Sequence, residues 1–499
     1  MQNIKPVRIL ILLLYISIML GGVMLISQGR DVNIPGIAYS LRMPGAKDVL
    51  PSAWYKKEQP EKVMASLENK TQEKVVVSKQ PKEEKRKVVK DTLTSSKPEV
   101  IVPKEGVKVT THPGDIAIEY PQGALDAFFS SLSYAKGGKK KIRVLHFGDS
   151  QLEGDRVTER LRENVQGEFG GYGLGLIPFT EIKGIRTTLN QEASDNWETD
   201  ILYGHHAAGA THGEFGLFGK DFFFKGSFEE PASAEIRLQR TGYTSYRERT
   251  YRHIKLYLKN TLSPLKVIYG QGKKYTDTLK VYPRENPQTL DLPIKGRLGT
   301  LDMKFESTGT PHFYGLSLEG DAGVMVDNLP LRGSSGTEFT RMYKAHLKGV
   351  VKDMSVRLII LQFGVNTVPQ LSDSYGFYER SFYRQIQYLK SVFPKASILV
   401  VGVSDMARKE RTELQSYPNI TAVSGAQRRA AQKAGVAFWD LYKAMGGEGS
   451  IITWAERTPA WANKDYTHFT RRGANHVGDM IYNELMREYN KFLTKKIAQ

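Results

Sequence analysis

Ser150 closes the segment Phe147-Gly148-Asp149-Ser150, directly after the apolar run Ile142-Arg143-Val144-Leu145-His146-Phe147. A run of that kind reads as a buried strand, and a serine just past its carboxyl end lies where open α/β sheets bind ligands. Far downstream, Asp465-Tyr466-Thr467-His468 places a carboxylate and an imidazole three residues apart, ahead of a helical stretch. That spacing lets both meet one serine. The imidazole would take the hydroxyl proton as general base, while the carboxylate fixes the ring tautomer and stabilises the imidazolium. The chemistry open to these three residues is acyl transfer through an acyl-serine. A Gly-Asp-Ser tripeptide alone is an ordinary turn signal, so the case depends on the elements that carry it.

Those elements alternate between strand and helix. The first strand runs into Ser150 and then into a helix predicted over Arg156–Val165, and similar units recur at Val356–Phe363, Ser397–Val403 and Val436–Leu441. A last helix is predicted from about Arg472 to Phe492, and Leu125, Phe128, Phe129 and Leu132 share one face of an earlier one. Alternating β and α imply a doubly wound parallel sheet. Between these parts the texture changes to short alternating segments: Glu235–Gln239, His253–Leu258, Leu265–Tyr269, Leu301–Phe305 and the set Leu290, Leu292, Ile294. They predict an antiparallel β-sandwich inserted over 216–324, which splits the α/β domain into 114–215 and 325–499. Its aromatics Tyr243, Tyr246 and Tyr251 are candidates for exposed glycan contacts.

At 499 residues, with 40% hydrophobic and 10% aromatic residues, the chain can build two folded units beside non-globular sequence. A mean hydropathy of -0.40 excludes a multi-span membrane protein. One stretch, Ile9 to Ile26, is nearly continuous in apolar residues and follows Lys5 and Arg8. It reads as an uncleaved signal anchor within residues 1–30, a single pass through the inner membrane with the basic flank inside and the rest in the periplasm or exterior. Residues 31–113, rich in Lys, Glu, Val and Pro, read as a disordered charged linker. The absence of cysteine excludes disulfides, zinc-thiolate sites and thiol catalysis. The net charge of +18 comes with no nucleic-acid motif, so attraction to an anionic envelope surface is the simpler reading and no nucleic-acid partner is expected.

With Phe363-Gly364-Val365-Asn366 added between the serine and the Asp-x-x-His pair, the order of blocks resembles the SGNH (GDSL-like) hydrolase superfamily. The resemblance covers about 114–215 and 325–499, and it implies a three-layer, flavodoxin-like catalytic fold needing no cofactor. It implies Ser150, His468 and Asp465 as the triad. It also implies an oxyanion hole formed by the N–H of Ser150, a glycine N–H and the Asn366 amide. For the glycine there are two candidates, Gly333 in Arg332-Gly333-Ser334-Ser335-Gly336 and Gly209 in the His205–Ala210 segment. Gly333 is preferred because it follows a predicted main-sheet strand starting at Gly323. Two departures stand out: Gln151 replaces the usual leucine after Gly-Asp-Ser, and Thr367 replaces the usual aspartate after Gly-x-Asn. By analogy they point away from lipase-like members and toward esterases of acylated polysaccharide or peptidoglycan. The Gly-x-Ser-x-Gly elbow of α/β-hydrolases is absent. The alternatives are an O-acetyltransferase using the same site, a lipid or thioester hydrolase, and a silent polysaccharide-binding protein.

The remaining conspicuous residues have ordinary readings. His205, His206 and His212 lack a carboxylate at ligand spacing and read as loop histidines, so no metal is expected. His146, inside a strand, reads as a packed residue. The Gly167–Gly175 stretch lacks the Lys-Ser/Thr of a phosphate loop. Trp454 and Trp461 either pack the loop before Asp465 or stack on a sugar ring.

Overall fold

In the strand Lys141–Gly148 every residue after the first is buried. Its side chains alternate between two cores, with Val144 on one face and Leu145 on the other. A strand apolar on both faces belongs inside a parallel sheet covered by helices on each side. The computed structural model describes residues 31–33, 40–42, 106–110, 115–136, 138, 140–204, 212–227, 229–272 and 275–498. In it the sheet runs Gly323–Pro330, Lys141–Gly148, Val356–Gln362, Ser397–Val401, Ala437–Trp439, and every neighbouring pair is parallel. Counted along the chain the order is 2-1-3-4-5, as in flavodoxin-like folds.

The helices Asp126–Lys136, Arg156–Phe169 and Arg471–Ile497 cover one face. The helices Lys344–Val351, Gly376–Val392 and Ile420–Ala434 cover the other. The predicted face Leu125, Phe128, Phe129, Leu132 is buried throughout. The helix after the serine continues past the predicted Val165 to Phe169 and stops at Gly170, whose positive φ ends it.

The inserted segment forms two antiparallel sheets. One carries Asp277–Val281, Leu265–Gln271, Thr300–Ser307, Ala232–Arg240 and Leu189–Ala193; the other carries Arg284–Arg297, Thr250–Asn260, His312–Glu319, Lys220–Phe223 and Glu198–Ile201, with Gly175–Ile177 paired onto His312–Glu319. Their inner faces share a core that includes Ile236, Val267, Met303 and Phe305 from the first and Leu256, Phe313 and Leu316 from the second. The sandwich therefore starts at Gly175 rather than 216, and it ends by Glu319, because Gly323–Pro330 belongs to the parallel sheet. The early strands are three to five residues long, as in Glu198-Thr-Asp-Ile201, too short for alternation to show.

Of the linker expected over 31–113, only residues 31–33, 40–42 and 106–110 lie among the described residues, the first two segments in one unit of the chain and the third in another. In the first unit, Asp31–Asn33 pairs antiparallel with Ser40–Arg42. In the second unit, Val107 is buried and exchanges two 2.8 Å hydrogen bonds with the Asn490 amide of the last helix. The segment Ile9–Ile26 lies outside the described residues, as do His205, His206 and Gly209. Among the described residues no helix is long and apolar enough to cross a membrane.

Buried ion pairs join the sandwich to the parallel sheet. Arg143, on the Lys141–Gly148 strand, pairs with Asp327 of the adjacent strand at 2.6 Å and with Glu319 of the sandwich, and Lys141 reaches Glu319 at 2.7 Å. Burial would push the Glu319 carboxyl up, but Arg143 and Lys141 pull it down to about 2. Arg162 grips Asp155 through two bonds of 2.7 and 2.9 Å and reaches Glu248 of the sandwich at 3.2 Å. Removing one member of such a set strands its partners' charges in a dry interior. Arg143→Met should therefore lower stability by roughly 3–5 kcal/mol, read as the loss of denaturation midpoint in urea. A midpoint unchanged from the parent would mean that Asp327 and Glu319 find other partners.

Candidate active site

The site occupies the carboxyl edge of the sheet where the chain order reverses, between the first and third strands in sequence. Gly148 ends the first strand, and a Cβ there would sit 2.6 Å from the Gln362 carbonyl oxygen, so only glycine lets the two strand ends come this close. Asp149 follows, buried, and its carboxylate accepts the N–H of Gln151 at 3.1 Å and of Val365 at 3.3 Å. Burial pushes this carboxyl up to about 7, against the pull of the backbone N–H groups of Gln151, Val365 and Gly364. One side chain thereby fastens the serine turn to the loop that carries Asn366.

Ser150 opens a short 3₁₀ helix, Ser150–Asp155, where the first N–H groups have no acceptor within the helix. Its Oγ is 2.8 Å from His468 Nε2. His468 Nδ1 is 2.8 Å from Asp465 Oδ2, and the other carboxylate oxygen accepts the backbone N–H of Thr467 and of His468, both at 3.0 Å. Burial would push the Asp465 carboxyl up, but the His468 backbone N–H, the His468 ring and the Thr467 N–H hold it below its ordinary value. An ionised carboxylate on Nδ1 leaves Nε2 with a lone pair directed at the serine hydroxyl.

The remaining sequence-selected residues fall on the two flanking loops. Asn366 follows Gly364, whose φ of +135 favours glycine. Its side-chain amide donates to the Ser334 carbonyl at 2.9 Å, which leaves a second amide hydrogen for a ligand. Ser334 adjoins Gly333, which has a φ of +83, so the Gly333 turn and Asn366 are tied side by side. Gly209 cannot be compared, because it lies outside the described residues. Trp454 is buried, and Trp461 is covered by Arg457, 3.3 Å from its ring centre, and by the His476 ring at 4.3 Å. Trp454 thus packs the loop before Asp465, and Trp461, half-buried, packs against Arg457 and His476. Tyr251 is likewise fully buried, with its hydroxyl receiving Gln271 Nε2 at 2.8 Å, whereas Tyr243 and Tyr246 are exposed.

Asp200, His212 and Asp221 bring candidate ligand atoms within 4.8 Å of one another, a set that could be read as a metal site. The hydrogen bonding opposes that use. The Glu214 N–H donates to His212 Nδ1 at 3.1 Å, so Nε2 carries the ring proton and donates it to Asp200 at 3.1 Å. A ligating imidazole needs the opposite arrangement.

No protein-family model matches the sequence, and no curated protein matches it. Solved structures do. A peptidoglycan O-acetylesterase is similar over 75% of this chain and 99% of its own, at 20% identity and a TM-score of 0.61. The likeness is one of fold. A family two carbohydrate esterase from Cellvibrio japonicus (9% identity, TM-score 0.25, 61% of this chain and 99% of that one) and an acetyl xylan esterase (16%, 0.25, 32% and 80%) are similar more remotely.

Two buried polar residues near the site carry no motif of their own. Gln151 is buried, and its amide donates to Ser404 Oγ at 2.8 Å and to the Thr467 carbonyl at 2.9 Å. Because Thr467 immediately precedes His468, this side chain ties the residue after Ser150 to the turn bearing His468. The departure from leucine was the available signal; the partners, more than 250 residues away, were not readable. Gln151→Leu should keep the fold but loosen the histidine turn, giving roughly a 10- to 100-fold loss in kcat with little change in KM. Gln151→Glu, which keeps an acceptor but loses both donated bonds, should behave as Leu does. Wild-type kcat in both variants would assign Gln151 to packing alone.

The second is His146, fully buried on the Lys141–Gly148 strand, 3.1 Å from Gln362 Oε1 and 3.0 Å from Thr158 Oγ1. Burial holds its pKa down at about 4, with Gln362 and Asp155 opposing. A folded pKa below the ordinary 6.5 means that the unfolded chain takes up the proton first, so this stability is present above about 6.5 and is lost as pH falls toward 4. The full difference is roughly 3 kcal/mol. Asp149 has the opposite sign: raised to about 7, it favours the folded state as pH falls below 7. His146→Asn should therefore gain on the parent protein as pH is lowered from 6.5 to 4 in paired melting curves. Parallel pH profiles would show that His146 does not carry this linkage.

Proposed function

We propose that the protein is an extracytoplasmic serine esterase that removes O-acetyl groups from a cell-envelope polysaccharide such as peptidoglycan. The observation that carries this reading is the hydrogen-bonded series Ser150 Oγ, His468 Nε2, His468 Nδ1, Asp465 Oδ2, with both links at 2.8 Å. The apolar stretch Ile9–Ile26 behind Lys5 and Arg8 supports a membrane-anchored, outward-facing catalytic domain. The acetylated-carbohydrate substrate is supported by the likeness to a peptidoglycan O-acetylesterase.

In this mechanism His468 accepts the Ser150 proton as Oγ adds to the ester carbonyl, and Asp465 stabilises the imidazolium. The tetrahedral oxyanion lies against the Ser150 N–H, the Gly333 N–H and the free Asn366 amide hydrogen, each donor contributing about 3 kcal/mol. His468 returns the proton to the departing sugar oxygen, leaving acetyl-Ser150. Water, activated by the same histidine, adds to that ester; collapse expels Ser150 Oγ, which takes back a proton, and acetate leaves. A sugar hydroxyl in place of water would make the same site an O-acetyltransferase.

Incubation of the full chain with O-acetylated peptidoglycan should release acetate, and a fluorophosphonate should label Ser150 and no other serine. Ser150→Ala and His468→Ala should each lower kcat by on the order of 10⁴-fold, and the double variant should be no worse than either. Labelling elsewhere, with Ser150→Ala still active, would refute the assignment. Transfer of acetyl to a glycan without free acetate would select the transferase.

A further inference from the structure

A cleft of about 620 Å³ opens beside Gly333 and Glu153, and Glu153 lies three residues past Ser150, at the kink of the 150–155 segment. Its size falls within the range of small-molecule sites. One wall comes from the catalytic loops, and the other comes from the inserted sandwich and the segment leading into it. That second wall is apolar, with Ile182, Ile185, Ile201 and Phe218, and Ile182 is left 56% exposed at its mouth.

The charges of the cleft do not balance locally. Glu153 faces Arg332 at 3.5 Å, and Glu181 faces Arg186 at 3.5 Å. Lys220, half-buried in the sandwich wall opposite Ile201, has no ion pair or hydrogen-bond acceptor for its ammonium among the described residues. Burial pulls its pKa down, with Glu181 and Glu153 opposing. The Phe222 ring lies 5.9 Å from this ammonium, but a cation held partly out of water without a carboxylate or hydrogen-bond acceptor is costly. An anion arriving from outside would relieve that cost through a charge-assisted hydrogen bond.

We infer that this cleft binds the saccharide beside the reacting ester and that Lys220 receives a carboxylate on that saccharide. The inference rests on the esterase reading above and narrows its substrate to acidic glycans. An apolar wall suits the non-polar face of a sugar ring, and the lone ammonium selects the acid. A lactyl ether carboxylate and a uronate share the required chemistry.

The test is an NMR titration of the full chain with N-acetylmuramic acid, glucuronic acid and N-acetylglucosamine, run beside hydrolysis of 4-nitrophenyl acetate. At least one acid should bind about tenfold more tightly than N-acetylglucosamine. Which acid does so identifies the source of the carboxylate. Lys220→Met should erase the preference and Lys220→Arg should restore it, with melting curves establishing that both variants fold. Equal affinity for all three sugars, or a preference that survives in a folded Lys220→Met variant, would overturn the inference. Hydrolysis of the neutral ester without acid preference would leave the esterase reading standing and remove this one. Acid preference without any hydrolysis or Ser150 labelling would do the reverse.

Discussion

The site depends on the pairing of one strand with two neighbours far away in sequence. Lys141–Gly148 lies parallel to Gly323–Pro330 on one side and to Val356–Gln362 on the other, with Gly148 level with both Pro330 and Gln362. This register brings three loops to one edge: the serine turn, the Gly333 turn and the Gly364–Asn366 loop. Side chains alternate along a strand, so a slip by one residue would exchange the two buried faces. Both faces of this strand are packed against helices, which gives the register little freedom. The crossover to a second neighbouring strand also opens the crevice in which a ligand can sit.

Around that edge, buried polar groups do the fastening. Asp149 holds the Asn366 loop through Val365, Gln151 holds the His468 turn through Thr467, and Gln362 lies between Gln151 and His146. These bonds are short-range and directional, so they fix angles that apolar packing would leave loose. The groups are also exposed to the cost of burial in opposite directions, since His146 is driven toward neutrality by losing a proton and Asp149 by keeping one. The outermost partner differs from these. Asp465 is half-exposed and held ionised by two backbone N–H groups and the ring of His468.

The sandwich is not a loose appendage. Glu319 and Glu248 enter ion pairs whose other members, Arg143 and Arg162, lie on the Lys141–Gly148 strand and on the helix after the serine. Its short early strands and connecting segments also form one wall of the cleft beside Gly333. Tyr243 lies over Arg471, at the start of the helix that follows the catalytic turn. An insertion attached in this way can bring binding energy from a polymer to bear on a reaction it does not perform.

The sequence alone determined the alternation of strand and helix, because runs such as Ile142–Phe147 and the face Leu125, Phe128, Phe129, Leu132 carry their period in a few adjacent residues. It also selected Ser150, Asn366, Asp465 and His468, since each lies at a strand end or turn marked by its neighbours. Tertiary structure alone decided what depends on meetings across long separations. Alternation could not reveal strands of three to five residues, so the sandwich boundary moved to Gly175. The exposure of an aromatic is not written in its type, and Trp454 and Tyr251 turned inward. The partners of Gln151, and the lack of an ion pair for Lys220 among the described residues, follow from which loops the folded sheet brings together, and no local pattern encodes that.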